Sequence, residues 1–231
     1  MRRKTFAVDI DGTITENGGG RIHLGALNSL RHMKRMGHNV ILVSGRSSVE
    51  AYLLGVFGGL DSIGVGENGG CITYGVNEHH LIGNKDKCLD ALKLIRTKIN
   101  NVQEKPVFPR MTEVVLERTF DIMDAQKITH NASLDVILAD SQYAIHINSA
   151  GIDKTVGFKE VMKKLDIHTE DVIAIGDSDT DVPLFKMAGY SIAVGNAFDE
   201  VKSHAKMVVS SHAGDGVIEA LDRLAPNLSE L

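Results

Sequence analysis

Short apolar runs alternate with amphipathic segments over most of this 231-residue chain, and no other feature constrains the fold as tightly. Runs at residues 5–10, 39–43, 62–65 and 172–175 have the length and composition of strands. Between them lie stretches with helical periodicity. One covers 25–36, with Leu24, Leu27, Leu30 and Met33 expected to face inward and Gly37 to stop the helix. A second follows Ser47, which reads as an N-cap, and carries Val49, Tyr52, Leu53, Val56 and Phe57 at i, i+3, i+4, i+7 and i+8. A third covers 155–165 with Phe158, Val161, Met162 and Leu165 on one side. Strands at 191–194 and 206–209 and a last helix opening at Gly214-Asp215 complete the series. Strands and helices in alternation predict a parallel sheet with crossover helices.

The middle of the chain breaks this rhythm. Residues 86–99 read as a helix, 112–119 as a strand, 121–130 as a helix, and 134–139 and 143–147 as two strands. The last two are separated only by Asp140-Ser141-Gln142, which suits a hairpin. A helix followed by hairpin strands belongs to an antiparallel α+β unit. The expectation is an α/β protein with a Rossmann-like parallel-sheet core formed by residues 1–81 and 151–231, carrying an inserted smaller α+β domain at 82–150.

Composition excludes several classes. Hydrophobic residues make up 43% of the chain but aromatics only 5%, with no Trp, so the core must be mostly aliphatic. A net charge of −5 offers no electrostatic footing for nucleic acid or an anionic membrane. Cys71 and Cys88 form no metal-binding pattern and suit a reducing cytoplasm. The basic start Met1-Arg2-Arg3-Lys4 precedes an apolar run, yet Asp9 and Asp11 interrupt that run, which argues against an export signal. No stretch is long and apolar enough to span a bilayer. His79-His80 has no partner at ligand spacing and reads as loop surface.

The chemistry concentrates where strands end. The first apolar run closes in Asp9-Ile10-Asp11-Gly12-Thr13, the second in Ser44-Gly45-Arg46, and a later one in Gly176-Asp177-Ser178-Asp179-Thr180-Asp181, while Lys154 opens a helix. In open α/β sheets ligands bind at the carboxyl ends of the strands. Gly12 can turn the chain so that Asp9 and Asp11 converge. Crowded carboxylates repel unless a divalent cation or a shared proton intervenes. At a helix start, backbone amides and the dipole favour anions. Carboxylates for a hard cation beside donors for an anion fit Mg²⁺ with a phosphoryl group.

These stretches, in this order, resemble the four motifs of the haloacid dehalogenase superfamily of phosphotransferases, and the insertion resembles that superfamily's C2-type cap. Within the group, chain length and the small cap are most similar to the archaeal phosphoglycolate phosphatases, also described as sucrose-phosphate-phosphatase-like hydrolases. The resemblance implies a Mg²⁺-dependent phosphomonoester hydrolase acting on a small phosphorylated metabolite, 2-phosphoglycolate first, in the cytoplasm and with a homodimer left open. It implies Asp9 as nucleophile, forming an aspartyl-phosphate, and Asp11 as general acid and base. It implies Mg²⁺ held by the Asp9 carboxylate, the Asp11 backbone carbonyl and Asp177, with Asp181 as a ligand or just behind one. Ser44 and the Gly45 amide would hold phosphate oxygens and Lys154 would neutralise the transferring group. One departure stands at Thr180, where members of this type often carry Asn before the last aspartate.

Ordinary alternatives exist for several of these residues. Ser44 could be a turn residue, Lys154 a surface lysine and Asp181 a first-turn carboxylate favoured by the dipole. Asn68 could meet the substrate or serve only its Asn-Gly-Gly turn. Asp171 and Asp179 read as solvated or capping carboxylates. In the insertion, Arg110 and His146 are candidates to meet a substrate carboxylate. A broad-range sugar phosphatase or a phosphomutase is the alternative reading. More remote is a non-enzymatic receiver that accepts phosphate on aspartate.

Overall fold

A computed structural model describes residues 3–16, 20–141 and 143–228. Strand β1 (Thr5–Val8) leads to helix α1 (Leu24–Arg35), then β2 (Asn39–Val43), α2 (Ser48–Gly58) and β3 (Gly64–Gly66). Two further strands, β4 (Cys71–Gly75) and β5 (Glu78–Leu81), follow directly. The chain continues through α3 (Lys85–Arg96), β6 (Val114–Leu116), α4 (Ile122–Asn131), β7 (Val136–Asp140) and β8 (Ile145–Ser149). Alternation then resumes with α5 (Lys154–Leu165), β9 (Val172–Gly176), α6 (Val182–Met187), β10 (Tyr190–Ala193), α7 (Asp199–Lys202), β11 (Met207–Val208) and α8 (Ala213–Leu224).

One sheet runs in the order β11-β10-β9-β1-β2-β3-β4-β5. Strand β1 sits between β2 and β9 and pairs in parallel with both. The antiparallel pairings of this sheet are β3 with β4 and β4 with β5, a meander in which β4 runs against the other seven strands. No periodic signal marked β4 and β5, because glycines flank β4 and β5 (Glu-His-His-Leu) is exposed throughout. His79 and His80 therefore lie on an edge strand, and His79 Nδ1 meets Thr73 Oγ1 at 2.9 Å. A separate antiparallel sheet, β6-β8-β7, is backed by α3 and α4.

Strand parity builds the core. Phe6, Val8, Leu42 and Ile175 pack on one face with Leu30 and Met33 of α1 and Val217 and Leu221 of α8. Ala7, Ile41, Val43 and Ala174 pack on the other with Phe158 and Val161 of α5 and Leu184 of α6. Each such large aliphatic or aromatic side chain contributes roughly 1.5–3 kcal/mol on burial.

Two expected helix faces are corrected. Leu24 is 75% exposed, because α1 begins there, and Ala26, Leu30, Met33 and the partly buried Leu27 face the core instead. On α2, Leu53, Val56 and Phe57 point outward, and Phe57 is 83% exposed. The buried face is instead Ser48, Ala51, Gly55 and Gly58. The reason is close approach: a Cβ on Gly64 would lie 2.3 Å from the Tyr52 backbone nitrogen, and one on Gly66 would lie 2.1 Å from that of Ser48. The small residues let helix and strand touch backbone to backbone. Ser47 does cap α2, in a capping box with Glu50.

Asp171 also departs from expectation. It is buried and pairs with Lys4 Nζ at 3.0 Å, and Lys4 itself is 1% exposed. Residues 4 and 171 flank the adjacent, paired strands β1 and β9, so the sheet brings them together.

Candidate active site

The carboxyl ends of β1, β2 and β9 form one edge of the large sheet. Asp9 continues β1, its amide donating to the Ile175 carbonyl at 2.9 Å. Ser44 continues β2, its amide donating to Val65 at 2.9 Å. Asp177 continues β9. Parallel pairing thus delivers residues far apart in sequence to one crevice.

Lys154 is the hub. Its ammonium donates to Asp9 Oδ1 and to Asp181 Oδ1, each at 2.7 Å, and its side chain is 2% exposed. Burial pulls its pKa down, but the Asp181 and Asp9 carboxylates raise it by more, so it stays charged. Asp153 caps α5 by accepting from the Thr155 amide at 2.8 Å and the Val156 amide at 3.0 Å. The second and third amides of α5 are therefore already engaged. What this helix offers an anion is the Lys154 side chain, a correction to the expectation of amide donors there.

Asp9, Asp177 and Asp181 each present a carboxylate oxygen within 4.8 Å of the others. Burial pushes the Asp9 carboxyl well above the usual range against the pull of Lys154, and the charges of Asp181 and Asp177 add to the rise. Burial and the Asp181 charge push Asp177 up to about 6. Three crowded, desolvated oxygens are the donor set a hard divalent cation prefers, and a cation would relieve both shifts. The residues fit such an ion.

The cluster is braced from several elements. Gly12 has φ +80°, and a Cβ there would lie 2.2 Å from Asp177 Oδ2, so only glycine leaves room for that carboxylate. Thr13 Oγ1 donates to Asp177 Oδ1 at 3.0 Å and lies 3.4 Å from Asp9 Oδ2. Asn196 Nδ2 donates to Asp177 Oδ2 and to the Gly12 carbonyl, both at 2.9 Å. Asp181 Oδ2 accepts from the Asp177 and Ser178 amides at 3.1 and 3.0 Å, tying down the loop that carries Asp177. At the departure position, Thr180 Oγ1 lies 2.9 Å from Ser178 Oγ, within its own loop.

The other candidates sit at the margin. The Asp11 side chain is not in the carboxylate cluster. It forms a bidentate pair with Arg46, Nε to Oδ2 and Nη2 to Oδ1 both at 2.7 Å, and Arg46 also reaches Glu50 at 3.1 Å. Ser44 is buried, and its hydroxyl accepts from the Arg46 amide at 3.1 Å. A Cβ on Gly45 would meet Asn68 Oδ1 at 3.2 Å, so Asn68 lies against the Ser44-Gly45 turn. From the smaller unit, Arg110 Nη1 donates to the Gly45 carbonyl at 3.1 Å. His146 does not accompany it there: its ring bonds Glu113 Oε2 and Ser141 Oγ, at 3.0 and 3.1 Å.

Four residues in these contacts carried no role in the sequence reading: Thr13, Arg46, Glu67 and Asn196. Glu67 is fully buried, and its carboxylate accepts from the Met111 and Thr112 amides and the Thr112 hydroxyl. A usable signal existed for all four, since each follows an apolar run within five residues: Thr13 after 5–10, Arg46 after 39–43, Glu67 after 62–65 and Asn196 after 191–194.

A mostly parallel sheet whose carboxyl edge gathers buried acidic groups and a lysine suits phosphoryl chemistry. A profile of the haloacid dehalogenase-like hydrolases matches residues 6–103 and 97–221. The chain belongs to the haloacid dehalogenase-like hydrolase family. A curated relative from Nitrosopumilus maritimus, named phosphoglycolate phosphatase, is 65% identical over 231 residues and covers 100% of both chains. One of the same name from Archaeoglobus fulgidus is 35% identical, over 97% of this chain and 98% of that one. A crystal structure of a Thermoplasma acidophilum protein shares the fold at a TM-score of 0.86 with 21% identity, covering 97% of this chain and 99% of that one. Among the described residues, no helix is long and apolar enough to cross a membrane.

Proposed function

We propose that the chain is a Mg²⁺-dependent phosphomonoesterase that works through an aspartyl-phosphate on Asp9, with 2-phosphoglycolate as substrate. The observation that carries this reading is the buried contact of Lys154 with Asp9 and Asp181, at 2.7 Å each, inside the acidic cluster. A carboxylate cannot approach a phosphate dianion unless cations cancel the repulsion, and Lys154 is fixed beside the carboxylate that must attack. The substrate follows from the name carried by the 65% identical relative.

In this reading the carboxylates of Asp9 and Asp177 and the backbone carbonyl of Asp11 hold the metal, and Asp181 acts behind them by fixing the Asp177 loop and Lys154. Bound Mg²⁺ would polarise the phosphoryl group and lower the repulsion between it and Asp9. Asp9 attacks phosphorus in line; the Asp9–phosphorus bond forms as the ester bond breaks. Asp11 gives a proton to the leaving alkoxide and then takes one from the water that hydrolyses the aspartyl-phosphate. To do so its carboxylate must exchange Arg46 for the reacting oxygen. Ser44 and the Gly45 amide hold phosphate oxygens. Residues 82–150 serve as a cap that excludes bulk water during the first transfer, and the free, buried thiols Cys71 and Cys88 suit a cytoplasmic setting.

The test is phosphate release from 2-phosphoglycolate, sugar phosphates and nucleotides, with and without Mg²⁺, for the parent and for Asp9→Asn. The reading expects Mg²⁺-dependent release, strongest on 2-phosphoglycolate, and none from Asp9→Asn. Undiminished turnover by a folded Asp9→Asn would refute it.

A further inference from the structure

A polar chain, buried from His146 onward, crosses from the small antiparallel sheet to the phosphate-loop candidates. It runs from Ser141 through His146 on β8 and Glu113 to Arg110, which ends it on the Gly45 carbonyl. The side chains of Glu113, His146 and Arg110 are 0%, 7% and 8% exposed. A buried guanidinium needs acceptors for its donors, and this one is under-supplied. Its Nη1 is used on Gly45, but its Nε has no hydrogen-bond partner and lies 3.5 Å from Glu113 Oε1. Glu113 spends its other oxygen on His146 at 3.0 Å. Leaving such a donor buried and unmatched is costly unless something else meets it.

The position of Arg110 is over-determined. Glu67 of the core clamps the next two residues by accepting from the Met111 and Thr112 amides at 2.8 and 2.6 Å. Lys85 Nζ holds the Arg110 carbonyl at 2.6 Å. A flexible arginine is thus fixed against Gly45, the residue next to Ser44. The guanidinium therefore stands beside the Ser44-Gly45 turn that would hold the phosphoryl group.

From this geometry we infer that Arg110 is the specificity-determining residue of the site, binding an anionic group at the end of the substrate remote from the phosphoryl group. A carboxylate is the group that matches a guanidinium fork in a small molecule. The inference rests on the phosphomonoesterase reading and deepens it: Lys154 serves the transferring end and Arg110 the end that is released. Glu67 acts as a positioning residue by holding Arg110 in place.

Two substrates separate the roles: 2-phosphoglycolate, and 2-hydroxyethyl phosphate, which has a hydroxymethyl group in place of the carboxylate. The parent should prefer the first. Arg110→Gln should cut the ratio of the two kcat/KM values by about ten- to a hundredfold, mainly through KM for 2-phosphoglycolate. Arg110→Lys, which keeps the charge and loses the fork, should recover part of that ratio and serves if the glutamine variant does not fold. An unchanged ratio, including an equal loss on both substrates, would overturn the assignment and leave Arg110 as a core-to-cap contact. If the parent hydrolyses 2-hydroxyethyl phosphate as well as 2-phosphoglycolate, the carboxylate assignment fails while the phosphatase reading stands. If the parent hydrolyses neither, both fall.

Discussion

Lys154 and Asp9 lie 145 residues apart in the chain and 2.7 Å apart in the fold. Both are buried, and the lysine bridges Asp9 to Asp181. Replacing Lys154 with Met removes the ammonium held between Asp9 and Asp181. Breaking a buried pair in this way costs about 3–5 kcal/mol, and catalysis should fall by roughly a hundred- to a thousandfold. The pH dependence has a definite sign. A carboxyl whose folded pKa lies above its unfolded value contributes stability below the unfolded pKa and loses it as pH rises through the folded one. Without Lys154 the upward pressure on Asp9 grows, so the melting temperature of Lys154→Met should drop further below the parent at pH 7.5 than at pH 5. Equal drops at both would argue that Asp9 is not the partner that matters.

Gly12 makes room for Asp177. Substituting Ala puts a methyl 2.2 Å from Asp177 Oδ2 at φ +80°, which combines left-handed strain of about 1–2 kcal/mol with displacement of a carboxylate. Mg²⁺ affinity should weaken by about tenfold or more, read by calorimetry on the folded variant. Unaltered affinity would mean that Asp177 does not hold the ion.

Metal binding should depend on the protonation of Asp177, pushed up to about 6 by burial and the Asp181 charge. In metal-free protein this group favours the folded state at low pH and loses that contribution as pH rises through about 6. A cation replaces the proton above that point. Thermal melts should show a larger rise on adding Mg²⁺ at pH 7.5 than at pH 5. The same rise at both values would count against an ion on this cluster.

Glu67 ties the large sheet's loop to residues 111 and 112 through three donors. Glu67→Gln leaves at least one buried donor unmatched, at a cost of about 1–3 kcal/mol. Amide exchange at Met111 and Thr112 should speed up accordingly, and the melting temperature should fall. Unaltered protection at those two amides would remove Glu67 as the clamp.

Buried thiols should be inert. Burial pushes Cys71 up to about 11 and Cys88 likewise to about 11, so neither presents a thiolate at neutral pH. A disulfide reagent should titrate both only once the chain unfolds. Fast labelling of native protein would show that the regions around Ser48 or Thr112, which contact these sulfurs, open locally.

The sequence by itself determined the alternation of strand and helix, the acidic and basic groups at strand ends, and the cap at Ser47, because each is a local pattern of spacing or side-chain chemistry. Asp9, Ser44, Lys154, Asp177 and Asp181 were legible for that reason. What only the tertiary structure decided is which groups meet. The face that α2 buries follows from Gly64 and Gly66 on a neighbouring strand, and its own apolar stripe pointed the wrong way. The carboxyl group of Asp11 goes to Arg46, and the second and third amides of α5 go to Asp153. Thr13, Asn196 and Glu67 acquire partners at separations of 164, 184 and 45 residues. Desolvation, close approach and hydrogen-bond matching are properties of neighbours in space, and a one-dimensional pattern does not record them.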